Sequence, residues 1–117
     1  MHDKISGFIR ILLVELDDLE HDIKDLMTEY EAKHNSDVIT NYVFFENLAL
    51  SQRELFGIDG FLSDIKSLNP QDIKSIDQLI ENLSKLLHER VSLNGLPKAI
   101  ELMVGRKIEK VKTYINQ

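Results

Sequence analysis

An all-α chain, folded as an antiparallel up-down-up-down four-helix bundle, is predicted by three observations. An apolar row runs through the first quarter of the sequence, Ile5, Ile9, Leu12, Leu16, Leu19, Ile23, Leu26 and Tyr30, with spacings that alternate strictly between four and three. Such a row is the seam of a long helix packed lengthwise against others. Similar stripes recur late in the chain, and glycine and proline collect at connections rather than in two-residue hairpin turns. A length of 117 residues with 43% hydrophobic content suits one domain, residues 1–117, with a real core.

Three punctuation points divide the chain. Asn35-Ser36-Asp37 offers capping side chains after the first helix, and Asn69-Pro70, with Asp72 in the next turn, is a specific helix start. In Asn94-Gly95-Leu96-Pro97, glycine can take the left-handed conformation that ends a helix, and proline can open the next. The helices then fall at about 3–34, 36–68, 70–93 and 97–116, with boundaries good to roughly two to four residues. At 1.5 Å per residue they are ~30–50 Å long, and their short connections make neighbours antiparallel.

The third helix carries Ile73, Ile76, Ile80, Leu83 and Leu87 in one stripe, with Leu79, Leu86 and Leu93 beside it. The fourth carries Ile100, Met103, Val104, Ile108, Val111 and Ile115. Each stripe faces one direction, as left-handed packing at roughly 20° crossings requires.

The second helix is apolar on too many sides. Phe44, Leu48, Leu55, Ile58, Leu62 and Ile65 form a heptad seam that includes Ser51. Val38, Tyr42, Phe45, Ala49 and Phe56 form another about 130° away, and Ile39, Val43, Leu50, Phe61 and Leu68 a third. In one arrangement the helix breaks near Gly57 or Gly60 and its halves rotate, so that one chain buries all three. In the other the helix is continuous and the second seam meets another protein, with aromatic side chains set around the small Ala49. The first helix points the same way, because Gly7, Ile11 and Val14 lie opposite its main seam, where an isolated bundle is polar.

The catalytic motifs are thin. Glu31 and His34 have the E-x-x-H spacing of dimetal-carboxylate bundles, but such a site needs two of these motifs and two further glutamates, and the chain has one. A protonated His34 in the last turn of a helix complements its dipole instead. The acidic run Glu15, Asp17, Asp18, Glu20, Asp22 and Asp25 invites comparison with metal-dependent helical hydrolases, yet it lacks a matching upstream pair and fits a solvated helix face. Histidine phosphotransfer modules are also helical bundles, which makes His21 or His88 the enzyme-class alternative; the small residues expected after His21 are replaced by Asp25 and Leu26, and Gly95-Leu96-Pro97 interrupts the helix soon after His88. No cofactor or metal is implied.

Charge and composition narrow the partners. The net charge is −6, and residues 97–117 hold five Lys/Arg against two Glu, so an acidic body carries a basic last helix. An acidic body repels phosphate backbones, and Tyr114 is the one aromatic among Arg106, Lys107, Lys110 and Lys112, so nucleic acid is not the expected partner. The apolar stretch near the N-terminus is broken by Arg10 and Glu15, which fits neither a signal peptide nor a membrane span. There is no cysteine, as suits a reducing cytoplasm. The expectation is a soluble cytoplasmic protein that works by protein–protein interaction, through homodimerisation along the second helix or through another protein on the same face.

Overall fold

The computed structural model describes residues 2–117 and is all-α. Four helices, α1 (His2–Asn35), α2 (Asn41–Lys66), α3 (Ile76–Leu93) and α4 (Ala99–Ile115), run up, down, up and down, each packed against the next and α4 against α1. The molecule measures 54 × 30 × 18 Å. Its elongation follows from helix length: 34 and 26 residues in the first pair, but only 18 and 17 in the second. At 1.5 Å per residue α1 outruns α3 by about 24 Å.

The chain therefore has two regions. In the body, all four helices contribute to one core that includes Ile5, Phe8, Leu12 and Leu16 of α1, Ile58, Phe61 and Ile65 of α2, Leu79 and Leu83 of α3, and Ile100, Val104 and Val111 of α4. Beyond the α3–α4 turn, α1 and α2 continue alone as a helical hairpin, the arm. Of residues 24–50, none is buried. The turn meets α2 where the arm leaves the body: Arg53 donates a hydrogen bond to the Gly95 carbonyl, and Ile100 packs over Gly57.

Local chemistry explains most boundaries. Helix α1 ends in a Schellman arrangement, with Asp37 in the left-handed region at φ 60° and its N–H on the His34 carbonyl, while the Val38 N–H reaches the Lys33 carbonyl at 2.8 Å. That turn occupies residues 36–40, so α2 starts five residues later than its sequence pattern predicts, capped by Thr40, whose hydroxyl oxygen accepts from the Val43 N–H. Asn69 caps as expected, accepting from the Gln71 N–H at 3.0 Å, but the helix it opens is a single 3-10 turn, Pro70–Asp72. The chain extends there, burying Ile73, and Ser75 caps α3 afresh. Gly95 takes φ 58° in the α3–α4 turn, the left-handed conformation expected of it.

Helix α2 is unbroken through both glycines, which overturns the broken-helix arrangement. Each glycine admits a neighbour instead. A Cβ on Gly57 would stand 2.6 Å from Ile100 Cδ1, and one on Gly60 would collide with the Arg90 guanidinium. Arg90 needs that space because it binds Asp64 through two hydrogen bonds of 2.7 and 2.9 Å, tying α3 to α2. Glu15 similarly ties α1 to α4, its Oε1 accepting from Lys107 at 3.2 Å and Lys110 at 2.9 Å.

Candidate protein interface

The continuous helix separates the three apolar seams of α2. The first faces α1 and the core: Ile58, Leu62 and Ile65 are buried in the body, with Ser51 above them, and Phe44 and Leu48 are half-buried in the arm. The third divides at the body's edge, Phe61 fully buried but Val43 and Leu50 exposed, because α3 and α4 stop short of the positions where they would cover the arm. The second seam is exposed along its whole length. Tyr42 is 75%, Phe45 59% and Phe56 62% accessible, and Ala49 is exposed between them. Val38, assigned to this seam from its spacing, lies in the turn before α2 and is exposed there.

The chemistry around the seam is sparse in charge. From Val38 to Gln52 the only charged residue is Glu46. The Tyr42 hydroxyl donates to that carboxylate, which holds the phenol above its ordinary range. At the arm tip the His34 ring stacks face to face on Phe44, centroids 4.2 Å apart and planes 4° from parallel, with Phe45 edge-on to both. His34 Nε2–H donates to Asn41 Oδ1 at 2.5 Å. This cluster pins the end of α1 to the start of α2. Its residues were visible in the sequence, but the pairing depends on the hairpin turn that brings them together.

The patch predicted on α1 does not join this surface. Gly7, Ile11 and Val14 sit in the body, and Val14 is ten residues below the first arm residue, about 15 Å along the helix. Ile11 is half-buried by α4, lining a cavity of about 220 Å³ with Glu15, Lys110, Val111 and Tyr114. Val14 is 58% exposed, and at Gly7 a Cβ would meet no atom of the described residues within 4 Å. A second, open concavity of about 560 Å³ lies between α3 and α4, over Ile80, Leu87, Leu102, Gly105 and Ile108.

The titratable residues singled out by spacing are dispersed. His21 is exposed on α1, its Nδ1–H on the Asp17 carbonyl at 2.9 Å; that bond, aided by the Asp17 carboxylate, raises its pKa. His88 bridges α3 to α4 through Glu101 at 2.8 Å. Glu31 is exposed, while His34 is engaged with Asn41 and Phe44, so the E-x-x-H pair does not converge. Among the described residues no three histidine, aspartate or glutamate side chains gather as a metal site would require. Burial raises the pKa of Glu54, and burial together with Asp59 raises that of Glu20, marking the junction of body and arm as partly desolvated. No described helix is long and apolar enough to cross a membrane.

No family model, curated protein or solved structure matches this chain.

Proposed function

We propose that this protein acts by protein–protein association, with the arm face of α2 closing on a second copy of the chain. The observation that carries this reading is the run of exposed aromatic residues, Tyr42, Phe45 and Phe56, around Ala49, with Glu46 the one charged residue from Val38 to Gln52. Exposed apolar surface of this kind marks interaction sites, and aromatic residues are enriched at the centres of interfaces. A homodimer is the commonest way to cover such a face without a second gene product. Each aromatic buried against a partner contributes on the order of a few kcal/mol before the costs of association.

Two short helices alone are a weak support, since pairs of helical segments of about a dozen residues are marginal without tertiary packing. Covering the arm supplies that packing. Light scattering over a range of concentrations tests the proposal: the wild-type mass rises to twice 13.5 kDa, and Phe45→Asp returns it to the monomer with helicity by circular dichroism retained. A wild-type chain that stays at 13.5 kDa throughout, or a Phe45→Asp variant that still dimerises, rejects it.

A further inference from the structure

Tyr42, Ala49 and Phe56 are spaced seven residues apart on one unbroken helix, so successive members of the set rotate by only about 20°. Ala49 is the small centre, and two aromatic residues flank it at equal distances. Helix α2 also carries Glu46 and Arg53, seven apart, four residues after Tyr42 and Ala49 respectively, and hence on one flank of the same face. These spacings have a specific consequence for a helix that pairs with itself.

We infer that two copies pair α2 to α2 in antiparallel fashion, with the two-fold axis passing beside Ala49. This assignment rests on the proposed self-association. In such a pair Ala49 meets Ala49 of the second copy, and Tyr42 of each lies against Phe56 of the other. The small side chains let the helices approach to about 8–9 Å, and the aromatic pairs close the two ends of the contact. Isologous symmetry makes every such contact occur twice.

Charge chooses the direction. Glu46 stands three residues before the axis and Arg53 four residues after it, so antiparallel pairing sets the carboxylate of one copy beside the guanidinium of the other, twice. In antiparallel helix pairs like flanks face like flanks, whereas a parallel pairing sets both charges against the uncharged side of the helix. Arg53 has donors to spare for this, since its bond to the Gly95 carbonyl uses one of five N–H groups. Glu46 likewise keeps acceptor sites beyond the one Tyr42 occupies.

The chain has no cysteine, so single thiols report the register directly. Near the axis the Ala49 Cα atoms of the two copies come within about 6 Å, inside the range a disulfide spans, whereas the two Tyr42 residues are about 21 Å apart along the helix. Under copper–phenanthroline oxidation Ala49→Cys is expected to give a covalent dimer. Tyr42→Cys mixed with Phe56→Cys is expected to cross-link, and neither alone. Since losing an aromatic weakens the contact, charge exchange gives an independent measure. Glu46→Arg and Arg53→Glu each raise the dimer Kd by about threefold to tenfold, and the two together restore it. A dimeric chain in which Ala49→Cys stays uncrosslinked, Tyr42→Cys cross-links with itself, or the exchanged pair fails to recover overturns this register and leaves the proposed association standing. A wild-type chain that scatters as a monomer overturns both.

Discussion

Helices α1 and α2 run through both the body and the arm, yet seams that are buried in the body come into solvent in the arm. Along α1 the main seam is buried at Leu16, Leu19 and Ile23, then continues in register to Leu26, which is 43% exposed. Along α2 the seam that buries Phe61 leaves Val43 and Leu50 in solvent. Nothing in the helices themselves changes at that level. What changes is the supply of neighbours, because α3 and α4 turn back at Gly95. Amphipathic periodicity fixes which side of a helix seeks cover; the length of the adjacent helices decides whether cover is there.

The contrast is broken most severely in the core. Phe61→Ala is expected to cost about 3–5 kcal/mol in urea denaturation, close to the whole stability of a small domain, because a fully buried ring leaves a cavity behind. Phe45→Ala, measured on dilute monomer, is expected to cost no more than about 1 kcal/mol, since that ring is 59% exposed and gives up only its edge-on contacts with His34 and Phe44. Equal losses from the two substitutions would abolish the distinction between the regions.

Arg90→Ala comes next. It strands Asp64 on the α2–α3 contact and removes two charge-assisted hydrogen bonds, an expected loss of about 1.5–3 kcal/mol. Gly60→Ala is expected to reproduce part of this, by displacing the same guanidinium. Helix caps give a finer comparison, since one chemistry serves both regions. Ser75→Ala, at the start of α3, is expected to lower global stability by about 1 kcal/mol. Thr40→Ala, at the arm tip, is expected to leave the urea midpoint nearly unchanged and to speed amide exchange in the first turn of α2, because that turn alone frays.

The smallest effects are electrostatic and opposite in sign. Hydrogen bonds from Lys110 and Lys107 hold Glu15 below the ordinary carboxylate range, so its stabilisation is full above that range and is lost as pH falls through its lowered folded value. Glu54 is raised by burial alone, so its charge costs stability at neutral pH, and that cost is relieved as pH falls through the raised value. At pH 7, Glu15→Gln is expected to destabilise by up to about 1 kcal/mol and Glu54→Gln to stabilise by about 0.5. Both differences shrink toward pH 3, which thermal melts at a series of pH values will register.

Much of the fold was legible in the sequence. Four helices, their order, their core stripes and the role of Gly95 follow from spacing and capping chemistry alone. The misreadings have physical causes. Strict alternation drew the first seam through Ile9, but Phe8, one residue earlier, takes the centre of the core and Ile9 its edge. Asn69-Pro70 opens a helix as it should, yet burial of Ile73 stops it after one turn. Gly57 and Gly60 read as breaking points and serve as contact points, because sequence shows a missing side chain without showing what fills its place. The exposed seam of α2 was visible as surplus apolar surface. Its position on a projecting arm was not, since that depends on where two other helices end.

The passage of α1 from body to arm has a mechanical consequence. After Gly7 the helix contains no glycine and no proline, and it runs uninterrupted to Asn35. With no hinge at the junction, the arm is a cantilever clamped at one end by the core. A load at its tip bends a rod rather than turning a joint, and any rotation imposed there is delivered to the far end of the molecule. Spin labels at the tip and on the first turn of α1 should accordingly report one narrow distance distribution.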